Sequence, residues 1–192
     1  MAEPPQDNQQ LRPRSVTVAL HVVHLGEDDP RKCTAKKLKK FGLVHEHASF
    51  KTVPVLSIKL NPFAARVLSA ADRPAVSRHG LTVIDCSWNR SSAATFERMH
   101  LRNDRRLPVD FFAANPTNYA MPGKLSSVEA LAAALIITGF LAEAKLILSK
   151  FTWGHTFLEL NEQLIDELRA EAGHLEAGSQ DEATGDEQAT KK

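Results

Sequence analysis

The residues best placed to do chemistry lie in Ala113–Leu135, AANPTNYAMPGKLSSVEALAAAL. Two prolines, two asparagines and a glycine fall within the eleven residues 113–123. Such a loop takes its shape from fixed dihedrals and backbone hydrogen bonds. The Ala-rich stretch that follows reads as a helix. Ser126 or Ser127 can cap it, and Glu129 falls in its first turn, where the helix dipole favours an acid. A strand end, a rigid polar loop and a helix N-terminus make a place for a ligand carrying a carboxylate or phosphate. The same pattern also fits an ordinary strand-to-helix connection.

A second candidate is LTVIDCSW, Leu81–Trp88. It reads as a short buried strand whose carboxyl end carries Asp85, Cys86, Ser87 and Trp88. Open α/β sheets bind ligands at that end. Asp85 there either faces a ligand or caps the next helix, and Trp88 either walls a pocket or belongs to the core. A third candidate is basic. RKCTAKKLKKFGLV holds Lys36, Lys37, Lys39 and Lys40, with Ala35, Leu38 and Phe41 at helical spacing. A lysine face of this kind is either simply solvated or a contact for RNA or phosphate. Arg102, Arg105 and Arg106 form a second basic turn. His45 and His47 are the one close histidine pair and read as solvent-exposed. The two cysteines, Cys33 and Cys86, form no metal-type pair and fit reduced thiols. G-x-G-x-x-G, P-loop and G-x-S-x-G motifs are absent from the sequence.

The elements that must position these residues follow from periodicity. Val16–Leu25, Pro54–Pro62, Leu81–Trp88 and the VDFFAA segment (109–114) read as strands. Segments 66–80 and 92–99 read as helices, the first broken near Pro74. Val128–Phe140, Leu141–Phe151 and 154–172 read as three closing helices. The order suggests an α/β domain, either alone or preceded by a smaller α/β subdomain. Residues 1–14 and 171–192 read as disordered tails. The 192 residues suit one large domain or two small ones. The sequence has no apolar run long enough to span a membrane and no secretory signal at its N-terminus, which fits a cytoplasmic protein. The formal charge of +1 hides an asymmetry. Six acids and two lysines put Glu171–Lys192 at −4, leaving the body at +5. A mildly basic body is compatible with nucleic acid.

Four blocks go beyond composition: EDDPRKCTAKKLKKFGLV, LTVIDCSWNR, LPVDFFAANPTNYAMPGKLSSVEALAAAL and LSKFTWGHTFLELNEQLI. In this order and spacing, from about Val16 to Ala170, the chain resembles the aminocarboxypropyltransferases that modify small-subunit ribosomal RNA. The resemblance implies transfer of the 3-amino-3-carboxypropyl group of S-adenosylmethionine to N3 of an N1-methylpseudouridine, without a metal, by a monomer. It implies a small N-terminal α/β domain (15–90) followed by a SPOUT-like C-terminal domain (91–170) with a deep trefoil knot. The alternatives are a SPOUT-class RNA methyltransferase, or a non-catalytic factor that binds precursor rRNA.

The resemblance also assigns roles. Thr34 and Ser127 would hold the donor's carboxylate. Ile84 would contact the ribose, and Leu107 and Gly123 the adenine. Trp88 would wall the sulfonium methyl, while Leu60, Pro62, Leu125 and Ala130 line the pocket. Asp85 is the candidate catalytic group, assisting loss of the N3 proton or stabilising the sulfonium charge. Lys36, Lys37, Lys39, Lys40, Arg90, Arg105 and Arg106 are the candidate RNA contacts. The chain departs from the pattern twice. Gly123 stands where an aromatic residue is usual, and LPVDFF is one residue longer than the usual segment before AANP.

Overall fold

The computed structural model describes residues 16–24, 33–86, 93–99 and 101–171. Trp88, Arg90 and nearly all of the two expected tails lie outside these residues. Five strands form one parallel sheet in the order β2-β1-β4-β3-β5. They are β1 (Leu20–His24), β2 (His45–His47), β3 (Ile58–Leu60), β4 (Leu81–Asp85) and β5 (Asp104–Arg105). The register sets Val22 opposite Val83 and Ile58 opposite Leu81. All five residues of β4 and four of the five in β1 are buried. That is why both read as near-continuous apolar runs and not as alternating patterns.

Parallel neighbours need crossovers. Helix α1 (Thr34–Lys40) lies between β1 and β2, α2 (Arg73–His79) between β3 and β4, and α3 (Ala93–Arg98) between β4 and β5. Helices α4 (Ser127–Ile137), α5 (Leu141–Leu148) and α6 (Gly154–Leu160) follow, then a helical run over 162–171. Every residue of α4 except Ala130 is buried. A helix with no polar face must be wrapped on all sides, and α4 packs on β4, α1 and α5. Leu131, Leu135, Ile147, Leu148 and Phe157 are fully buried around it. Each such side chain contributes about 1.5–3 kcal/mol of transfer free energy. The Arg73 guanidinium ties α2 to the end of α4: it donates to Thr138 O (2.9 Å) and stacks on Phe140 (4.4 Å to the ring centroid).

The α/β class stands, but the expected SPOUT-like C-terminal domain with a deep trefoil knot is corrected. The five described strands pair into one parallel sheet that ends at Arg105. Among the described residues of 91–170, the sheet gains only the two-residue edge strand β5, and the others are loop and helix. What the structure supports is a parallel-sheet α/β arrangement.

Smaller differences have local causes. The expected strand at 109–114 does not join the sheet. It pairs instead with the loop that returns beside it, through Ala113 N to Met121 O (3.1 Å), Ala120 N to Ala113 O (2.7 Å) and Gly123 N to Phe111 O (2.9 Å). Pro74 starts α2 and does not break it, because the first helical turn has no need of that N–H. The last expected helix is interrupted at Asn161. This buried amide clamps the Phe112 peptide, with Oδ1 accepting from its N–H (2.7 Å) and Nδ2 donating to its carbonyl (2.9 Å).

His45 and His47, read as exposed, form edge strand β2 beside β1, where His45 is exposed and His47 partly buried. His47 Nε2 lies 3.0 Å from Nδ1 of the buried His21, and the rings of His21 and His45 stack at 5.4 Å. Burial, then the neighbouring His47, His45 and Lys59, lowers the His21 pKa from 6.5 to about 4. The unfolded chain therefore binds this proton at higher pH than the folded one. Stability should fall as pH drops from about 6.5 toward 4, by roughly 2–3 kcal/mol from this residue. Urea unfolding across that range measures the slope, and His21→Phe should flatten it.

Candidate functional site

The carboxyl ends of β3, β4 and β5 open into a cavity of about 1000 Å³. Leu60 and Pro62 line it from the end of β3, Ile84 and Asp85 from β4, and Arg105, Arg106 and Leu107 from β5 and the turn after it. Thr34 and Lys37 enter from α1, Gly123 and Leu125 from the loop, and Ser127 and Ala130 from α4. The structure thus gathers every expected cofactor residue except Trp88, which lies outside the described residues. The volume has room for a nucleoside-sized ligand together with a second ring.

Glu129 builds one wall. The carboxylate is 0% exposed and accepts five hydrogen bonds. Oε1 takes the N–H groups of Ala114 (2.6 Å) and Asn115 (2.9 Å). Oε2 takes Asn115 Nδ2 (2.7 Å), Ser126 N (2.7 Å) and Ser126 Oγ (2.6 Å). Ser126 and Glu129 form a capping box, so Ser126 is the cap and Ser127 is the first helical residue. A serine cap and a first-turn acid were legible in SSVE. The reach of Glu129 back to the AANP segment was not, because that contact depends on the fold.

Asp85 is a second hub. Its Oδ1 accepts from Ser127 Oγ (2.5 Å), and Oδ2 lies 2.7 Å from His24 Nδ1 and 3.1 Å from Cys33 Sγ. Cys33 also caps α1, its sulfur accepting from Lys36 N (3.4 Å). Burial, opposed by the Lys36 N–H and aided by Asp85, pushes the Cys33 thiol up to about 12. It keeps its proton and donates it to Asp85. Both Asp85 oxygens thus accept hydrogen bonds, and the residue is only 6% exposed. These contacts join β1, β4, α1 and α4 through Asp85 and leave Oδ1 with a single hydrogen-bond donor among the described residues.

The two hydroxyls at the start of the helices differ in what they can offer. The Ser127 proton is committed to Asp85, so its oxygen faces a ligand as an acceptor. Thr34 Oγ1 accepts from Val128 N (3.3 Å), and its own proton has no partner among the described residues. The Ser127 N–H is likewise unpartnered among the described residues, as expected at a helix N-terminus. One donor group, one acceptor and one backbone N–H thus sit side by side, a set that suits an α-amino acid with both its charges.

The basic candidates do not share one face. Lys39 pairs with Glu46, whose pKa is lowered chiefly by that hydrogen bond. Lys37 reaches over the Phe151 ring, 4.6 Å from its centroid, at the cavity edge. Lys36 and Lys40 remain on α1. Arg106 lines the cavity. Arg105 is 4% exposed and donates to Asp72 Oδ1 (3.1 Å) and to its neighbour's carbonyl, so it braces β5 from within. Arg90 is outside the described residues.

The two departures from the family pattern meet in space. Gly123 has a φ of +69°, and a β-carbon there would lie 2.9 Å from Asp110 Oδ1. The longer segment places the Asp110 carboxylate in room that a side chain at position 123 would need.

Residues 58–182 match the family described as ribosome biogenesis protein, C-terminal. A 16S rRNA aminocarboxypropyltransferase of Methanosarcina acetivorans is 41% identical over 150 residues, covering 78% of this chain and 84% of the relative. The chain belongs to the family of 16S rRNA aminocarboxypropyltransferases. Another member, from Halobacterium salinarum, is 46% identical over 144 residues, 75% of this chain and 82% of its own. The solved structure of the SAM-dependent rRNA:acp-transferase Tsr3 from Vulcanisaeta distributa superposes with a TM-score of 0.74 at 39% identity, covering 81% of this chain and 85% of that one.

Residues 18–49 also match a possible Fer4-like domain in RNase L inhibitor. The residues do not fit such a cluster, which takes four cysteine thiolates. That segment holds Cys33 alone, and its thiol is protonated. His24, Cys33 and Asp85 do place ligand-type atoms within 4.8 Å of one another, where they bond among themselves.

Glu129→Gln replaces an acceptor oxygen with an amide that faces donors. Urea denaturation should show a loss of about 3 kcal/mol or more. A change under about 1 kcal/mol would mean that the AANP wall does not depend on this acid.

Proposed function

We propose that this chain transfers the 3-amino-3-carboxypropyl group of S-adenosylmethionine to N3 of an N1-methylpseudouridine in small-subunit rRNA during ribosome biogenesis. The observation that carries the proposal is the convergence of α1, β3, β4, the AANP loop and α4 on one cavity, with amino-acid-binding groups at the start of α4. Family membership supports the donor and the class of acceptor.

When bound, the donor supplies a carbon chain on a sulfonium leaving group; the bond to N3 forms as the carbon–sulfur bond breaks with its electron pair going to sulfur. The residues decide which carbon is offered. Leu60 and Pro62, apolar and at the end of β3, would shield the methyl. Thr34 would donate to the carboxylate together with the Ser127 N–H, and Ser127 Oγ would accept from the ammonium. Asp85 holds Ser127 in that orientation and places a buried negative charge next to a cationic ligand. Fixing the aminocarboxypropyl chain at both charges, with the methyl buried, leaves the chain carbon next to sulfur facing the acceptor, and orientation selects the product. The N3 proton leaves to solvent. Lys37 and Arg106, which line the cavity, together with Lys36 and Lys40 on α1, would meet RNA phosphates. Salt dependence of binding should flatten when they are reversed in charge.

Two measurements test this reading. Thr34→Val removes one hydrogen bond to a charged group and should weaken S-adenosylmethionine by about 10–100-fold in calorimetry. In the transfer assay, an RNA fragment carrying N1-methylpseudouridine should take label from carboxyl-labelled donor. The same fragment methylated at N3 should take none. Transfer of label from the donor's methyl would overturn the reading.

A further inference from the structure

Asp110 is an acid that the proposed reaction has not used. It is exposed, it lines the cavity, and it has no hydrogen-bond or ion-pair partner among the described residues. Its position is nonetheless set by its neighbours. Phe111 is fully buried and stacks on Phe157 with ring centroids 5.8 Å apart. The Phe112 peptide is clamped on both sides by Asn161. Gly123 N donates to Phe111 O at 2.9 Å. These bonds bring the Asp110 carboxylate over Gly123, the position at which a β-carbon would approach Oδ1 to 2.9 Å. Leu107, three residues earlier, lines the same cavity.

An unpaired carboxylate on a cavity wall is an acceptor-only group. It favours a ligand edge that presents an N–H donor and repels one that presents a carbonyl. We propose that Asp110 is a specificity-determining residue that accepts a hydrogen bond from the exocyclic amine of a purine held between Leu107 and Gly123. It would thereby select adenine over a 6-oxopurine. The inference rests on the reading of this cavity as the S-adenosylmethionine site, with Leu107 and Gly123 as its expected adenine contacts, and it adds a side-chain contact to them. Gly123 is part of the same device, since any side chain there would displace the carboxylate.

The test is calorimetry with two donors that differ only at purine position 6, S-adenosylmethionine and S-inosylmethionine, against the wild type and Asp110→Ala. Asp110 is exposed, so circular dichroism of the variant should match the wild type. The wild type should bind the adenine form at least tenfold tighter. Asp110→Ala should lose about tenfold in affinity for the adenine form and nothing for the inosine form. A parallel loss for both forms would show only a general attraction for a cationic ligand and would overturn the proposal, as would no change for either. Failure of the wild type to bind either form would overturn the donor-site reading itself, and this inference with it.

Discussion

The Glu129 carboxylate is fully enclosed, and among the described residues it is paired with no cation and satisfied by N–H and O–H donors. Two of those donors are backbone groups of Ala114 and Asn115, and the rest belong to Asn115 and Ser126. A buried charge of this kind is tolerated only while its donors stay in place, and removing either side leaves the other stranded. The acid therefore fixes the distance between the AANP segment and the start of α4. Everything on the cavity's loop side follows from that distance. The returning hairpin-like loop, the placement of Gly123 and Asp110, and the exposure of the Ser127 N–H all depend on it.

Asp85 plays the matching part on the sheet side. It sits where the parallel sheet ends and ligands bind, and it orders the segments around it by accepting from His24, Cys33 and Ser127. The result is a polarity set by hydrogen-bond direction. Ser127 can only accept, and Thr34 can donate. A ligand with a carboxylate and an ammonium on one carbon meets both. This division could not be drawn from residue types, since serine and threonine offer the same groups until their partners are known.

Much of the architecture was legible in the sequence where one force dominated. The apolar runs of β1 and β4 are read as buried strands because both of their faces are covered. The helix start at SSVE is read from its cap-forming serines and first-turn acid, and the strand-end placement of Asp85 from the end of LTVID. What was not legible depended on partners distant in the chain. Segment 109–114 has strand-forming residues but closes on its own return loop. HEH is polar in composition, yet forms the edge strand because His21 and His47 meet. Lys59 is charged, but is buried on β3 because three carbonyls, those of Pro54, Val55 and Ser57, take its ammonium. Arg105 read as surface charge until Asp72 proved to lie beneath it. The SPOUT-like expectation came from resemblance alone, and nothing in the periodicity had called for it.

The central claim is that the cavity framed by Glu129 and Asp85 orients S-adenosylmethionine so that its amino-acid chain, and not its methyl, faces the acceptor. A crystal structure of the chain with S-adenosylmethionine bound tests it most directly. The account predicts the carboxylate on Thr34 and the Ser127 N–H, the ammonium on Ser127 Oγ, and the methyl buried against Leu60 and Pro62. A donor bound elsewhere, or one whose methyl points toward the open mouth of the cavity, would contradict it.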